Sequence, residues 1–155
     1  MSNQERFVSL AGFFAFEYPA TWVQETDEAG HYLFYNPNGG SGLLRVILMK
    51  NDFEGENAAE EMMQEIIKQN KKFEPQIYIH GQNRFVHFVK ENLVNGSSFT
   101  VYYWTIMYGE NVLLFTFTIQ TSLKELPSST NEKDQVEAMI ASVELLHNTA
   151  DHGTK

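Results

Sequence analysis

The sequence predicts an α+β fold, an antiparallel sheet of about six to eight strands flanked by two main helices. Three observations carry this expectation. Strand-like runs follow one another with turn residues between them, rather than alternating with helices as repeated βαβ units would. Only two segments carry the apolar spacing of a helix, one near residue 60 and one near residue 136. Between them, Asn95-Gly96 links two long β-rich runs, and both residues tolerate the left-handed conformation of a type I′ hairpin turn.

Taken in order, the apolar run from Phe7 to Phe16 reads as two short strands around Ala11-Gly12. In the second, Phe14, Phe16 and Tyr18 alternate with Ala15 and Glu17 until Pro19 ends it. Residues 22–26 and 31–36 flank Asp27-Glu28-Ala29-Gly30, a hairpin signal. Gly39, Gly40 and Gly42 then make a wide turn before the mostly apolar run Leu43–Met49, expected to be central in the sheet. Ala59, Met62, Met63, Ile66, Ile67 and Phe73 share one helical stripe, which predicts a helix from about 57 to 73. Asn57 and Glu60 have the spacing of a capping box, and Pro75 prevents continuation.

The remainder reads as a meander: residues 77–79, 84–89, 99–107 and 112–121. In the last, Leu113, Phe115, Phe117 and Ile119 face one way and Thr116, Thr118 and Gln120 the other. A final helix is expected to open near Ser129, with Glu132 in capping-box position and Val136, Met139, Ile140 and Val143 on its stripe. Two endings stay open: the helix runs on through Leu146, or it stops at Ser142 and leaves a short strand.

The 155-residue length is that of one domain, expected over 1–148 with a polar tail at 149–155. Eleven Lys+Arg against 20 Asp+Glu give a net charge of −9, and the scattered cations argue against nucleic acid as a partner. Cysteine is absent, which removes thiolate nucleophiles, thiolate metal sites and attachment of lipid through cysteine. No apolar run approaches the roughly 18–20 residues of a membrane span. Residues 7–16 mimic a short signal segment, but Glu5 dilutes the positive end and no small-residue cleavage site follows, so the expected location is cytoplasmic.

Phe16-x-Tyr18-Pro19-x-x-Trp22 resembles the opening motif of the PsbP-like superfamily. Ile79-His80-Gly81 is similar to its strand-turn glycine after the helix, and Met139-Ile140-Ala141-Ser142-Val143 to its closing segment. The resemblance spans about residues 7–147 and implies an antiparallel sheet with helices on its faces. It implies no particular activity, since function resides in sites rather than in folds.

No catalytic constellation stands out, and no cofactor or metal is expected. His31, His80, His87, His147 and His152 lack ligand spacing. Glu60, Glu61 and Glu65 fit a solvated helix face, and Glu54 and Glu56 a loop. Ser97, Ser98, Ser128 and Ser129 sit in turn or cap contexts, outside any nucleophile elbow. Gly39-Gly40-Ser41-Gly42 lacks the lysine and helix of a phosphate loop.

Aromatic residues are the one surplus. If the helices cover one sheet face, Tyr102, Trp104, Ile106 and Tyr108 form an accessible platform on the other; if both faces are covered, they are core. The expected function is accordingly a non-enzymatic protein-binding module (an adaptor, chaperone or immunity-type partner) whose acidity favours a basic partner protein. The alternative is a carrier of a small apolar ligand, or an enzyme, with a pocket between sheet and helix.

Overall fold

The computed structural model describes residues 3–146; the expected tail at 149–155, and with it His147 and His152, lies outside them. Ten strands and two α-helices follow in the order β1 (Gln4–Val8), β2 (Phe14–Pro19), β3 (Val23–Thr26), β4 (Tyr32–Tyr35), β5 (Gly42–Lys50), α1 (Ala58–Gln69), β6 (Gln76–His80), β7 (Asn83–Val94), β8 (Ser97–Tyr108), β9 (Asn111–Gln120), α2 (Pro127–Ala141) and β10 (Glu144–Leu145). Seven strands form one sheet in the order β3-β4-β5-β9-β8-β7-β6, and β1-β2-β10 form a second. Every pairing is antiparallel. The α+β expectation holds, but two sheets share the strands that were expected in one.

The meander forms because its turns are built for it. Asn95 and Gly96 both take positive φ (52° and 82°), so Val94 pairs with Ser97 and the register runs without a slip to Val86↔Thr105. Period-2 alternation then sends Phe85, Trp104, Ile106, Leu113, Phe115 and Phe117 to one face of the large sheet. The small sheet and α2 close over that face. Phe16 packs edge-on to Phe115 at 5.7 Å, and Phe7 meets Phe34 at 5.2 Å and 89°. Val136, Met139 and Ile140 of α2 complete this core. Burying each such side chain contributes about 1.5–3 kcal/mol.

Val86, Phe88, Met107 and Val112 point to the opposite face, where Met63 of α1 packs on them. The helix is shorter than its apolar stripe. Asn70 ends it with the backbone N–H bonded to the Ile66 carbonyl, Lys71–Phe73 form a 3-10 turn, and Glu74 is left-handed just before Pro75. The expected capping box does not form: the Asn57 side chain caps nothing, and the Glu60 carboxylate accepts from Gln64 and lies 3.7 Å from Arg84.

At the C-terminal end the strand alternative is the one realised. α2 stops at Ser142, whose hydroxyl donates to the Met139 carbonyl and accepts the Glu17 N–H at 2.9 Å. The chain is thereby laid against β2, and β10 pairs Glu144 with Ala15. α2 also begins two residues earlier than expected, with Pro127 in its first turn, where the missing N–H costs nothing. Among the described residues no helix is long and apolar enough to cross a membrane.

Candidate binding face

The expected platform is a core row. Trp104 is 1% exposed and Ile106 3%, because α2 and β2 lie over the face that they share with Phe14, Phe16 and Met139. Tyr102 and Tyr108 stand half-buried at the two ends of the row. Tyr102 stacks on Trp104 at 6.1 Å beneath the Lys133 ammonium, and Tyr108 donates to the Phe13 carbonyl at 3.3 Å. Burial pushes the Tyr108 phenol up to about 12. The alternation was legible in the sequence; the cover was not, since it comes from a second sheet whose strands are remote along the chain.

The open surface is on the other face. Here α1 covers β7, β8 and the Val112 end of β9, and the side built by β4, β5 and the rest of β9 has no element packed on it among the described residues. Cross-strand register places Leu33 beside Arg45 beside Thr116, Leu43 beside Thr118, and Ile47 beside Leu114. All seven are half-exposed. The surface is therefore apolar with threonines interspersed and one cation, Arg45, at its centre. A depression of about 470 Å³ opens next to Arg45, walled by Tyr35, Leu43 and Phe99 and floored by Thr118 and Gln120. A second, of about 660 Å³, lies at the far end of β5 between Ile47, Tyr32 and the 85% exposed Leu10.

The loop that rims the first depression is held from below. Glu132 is 2% exposed, and its carboxylate accepts the N–H of Ser41 at 3.0 Å, the N–H of Gly42 at 3.3 Å and the Ser41 hydroxyl at 3.3 Å. The Ser129 and Ser41 hydroxyls pair at 2.9 Å. Both α2 residues expected to cap their own helix therefore bind a loop roughly 90 residues away in sequence. Two of the turn's three glycines answer to crowding, since a Cβ on Gly40 would strike the Asn36 carbonyl and one on Gly42 the Phe117 ring, whereas Gly39 takes a φ of 82°.

Several of the groups considered for chemistry have structural partners. His87 is sandwiched between Tyr78 and Trp104, each ring 4.7 Å away, with its Nδ1 2.8 Å from the Tyr103 carbonyl. Desolvation holds its pKa below the usual histidine range. His31 lies 3.5 Å from Asp27, whose carboxylate is held low mainly by the His31 and Ala29 amides of its own turn. His80 meets Phe85 edge-on, and Ser98 bonds Thr121. Among the described residues no three His, Asp or Glu converge as metal ligands would. The sequence reading passed over Arg45, although a lone arginine inside Leu43-Leu44-Arg45-Val46-Ile47 was a visible signal.

Fold and face define a class: an α+β domain with an antiparallel sheet clad fully on one face and only half on the other. Within it, the chain belongs to the family described as a domain of unknown function, DUF3805, whose model matches residues 2–153. No curated protein matches it. Among solved structures, it is similar to a protein from Bacteroides thetaiotaomicron at 20% identity, over 94% of this chain and 50% of that one, with a TM-score of 0.75. The chain thus spans about half the length of that protein. It is also similar to LpqN of Mycobacterium tuberculosis, described as involved in cell envelope biogenesis, at 14% identity, over 92% of this chain and 84% of LpqN, with a TM-score of 0.62. Cyanobacterial PsbP from Synechocystis follows at 11% identity over 94% of each chain, with a TM-score of 0.43. The antiparallel sheet with helices on its faces is the fold that the resemblance implied.

Proposed function

We propose that the domain is a non-enzymatic binding module that receives a partner protein on the open half of its large sheet. One observation carries this reading: the half-exposed row Leu33, Leu43, Ile47 and Leu114 runs across three hydrogen-bonded strands, while the neighbouring half of the same face is covered by α1. Contiguous apolar surface of this kind marks interaction sites more often than scattered single residues do. The net charge of −9 favours a basic partner through long-range attraction. The polar groups that could have formed a reaction centre are committed elsewhere, Glu132 and Ser129 to the rim loop and His87 to its ring sandwich.

The test compares capture of partners from the native cell by tagged wild-type protein and by Leu114→Lys, a change on the open face. A specific protein held by the first and lost by the second, at equal thermal stability, supports the proposal. Equal recovery by both overturns it. A second reading, carriage of a small ligand, is favoured by the depression of about 470 Å³, which lies within the range of about 300–1,000 Å³ of small-molecule sites. It differs from the pocket anticipated from sequence in lying on the open sheet face, not between sheet and helix.

A further inference from the structure

Arg45 is a cation without a counterpart. Its guanidinium carries five N–H donors in a planar fork and remains charged at any physiological pH. Among the described residues no ion pair, hydrogen bond or ring contact engages it, and its Nε is buried with no acceptor. Asp27 is near enough for the Arg45 charge to add slightly to the lowering of its carboxyl, but one Asp27 oxygen accepts the Ala29 and His31 amides and the other faces the His31 ring. Glu25, two strands away on the same face, accepts the Tyr35 hydroxyl at 2.9 Å. The chain therefore carries an unmet donor group at the centre of an apolar surface.

We infer that Arg45 is the recognition residue for a carboxylate-bearing ligand whose apolar body lies in the adjoining depression. A buried donor left unsatisfied costs free energy that an incoming acceptor recovers. The guanidinium fork matches the two oxygens of a carboxylate, and an apolar ligand body laid on Leu33, Leu43 and Ile47 displaces the water that would weaken the pairing. Tyr35, Leu43 and Phe99 supply the apolar wall. Arg45 is the one cation among the residues described as lining the depression, which fits a singly charged acid rather than a phosphate dianion.

The inference rests on the same open face as the proposed function and adds the chemistry of its anchor. The carboxylate can come from a small organic acid or from the C-terminus of an apolar peptide. Nitrogen-15 NMR on the purified chain follows the Arg45 Nε–H signal during titration with octanoate, 3-phenylpropanoate and an N-acetylated peptide ending in Phe. Each is run beside its neutral primary amide. Expected are saturable shifts at Arg45 and the Thr118 and Gln120 amides for at least one acid, absent for its amide. Arg45→Met should weaken binding about ten- to a hundredfold, as loss of a charged hydrogen bond does. Saturation by the small acids alone assigns a metabolite, and by the peptide alone a protein terminus; either supports the inference. No saturation by any acid, or equal binding by Arg45→Met, overturns it. Because no partner protein enters the experiment, its failure stays separate from a failure of partner capture.

Discussion

The Glu132 carboxylate takes the backbone N–H of Ser41 at 3.0 Å, fastening the second α-helix to the loop that enters β5, an interior strand of the large sheet. Every donor it meets belongs to Ser41 or Gly42, so the loop conformation depends on one side chain. Glu132→Gln replaces one acceptor oxygen with an NH₂ group that faces these N–H donors. The expected loss is about 1–3 kcal/mol of stability, read as a lower urea midpoint at unchanged slope. An unchanged midpoint would mean that water replaces the carboxylate without penalty.

Gly42 tests the same loop from the other side. A Cβ at this position enters the Phe117 ring, which is itself 0% exposed and walled by the core. Gly42→Ala is therefore expected to cost about 1–3 kcal/mol, the usual penalty of overpacking. Gly30, with φ of 85° and open space at its Cβ position, is the control: alanine there meets only backbone strain.

Local physics was legible in the sequence wherever one element decides it. Asn95-Gly96 dictated its hairpin, Pro19 and Pro75 ended their segments, and the alternation in β9 assigned Phe115 and Phe117 to the core. What escaped is set by residues distant in the chain. Glu132 looks like a capping residue until a loop 91 residues away supplies better donors. Trp104 looks as exposable as Tyr102 until α2 and the small sheet close over the face. The open face was missed for the same reason: periodicity gives the orientation of Arg45 but not whether an element lies above it.

His87 gives the domain an acid-sensitive core. Desolvation between Tyr78 and Trp104 lowers its pKa below the ordinary histidine value of about 6.5, so the folded chain keeps it neutral while the unfolded chain takes up a proton. Its contribution is complete above pH 6.5 and is lost as pH falls through that value toward the folded pKa. Asp27 and Glu144, both held low, act in the lower, carboxylate range. Urea midpoints measured across this interval should fall with pH for the wild type and fall less for His87→Phe. Parallel curves would assign the acid sensitivity to other groups.

The row once open to reading as a platform separates into core and edge by truncation. Trp104→Ala removes a side chain that is 1% exposed and is expected to cost about 3–5 kcal/mol. Tyr102→Ala removes a half-buried ring and should cost appreciably less. Equal, small losses at both would show that α2 does not close over Trp104 in solution.

Arg45 should behave oppositely to the core residues. Its buried Nε lacks an acceptor, so the folded state bears a desolvation cost that the hydrated unfolded chain avoids. Arg45→Met keeps the unbranched stem against Leu33 and Thr116 and removes that cost, so stability is expected to stay level or rise by about 1 kcal/mol. Surface arginines that only pack or solubilise give no such gain, and one that holds an unrecognised internal partner would give a loss. A stabilised Arg45→Met chain that no longer binds the acids would place the residue among those kept for recognition at the expense of stability. A midpoint lowered by more than about 1 kcal/mol would instead make it a structural cation, since leaving an internal partner unsatisfied costs at least that much.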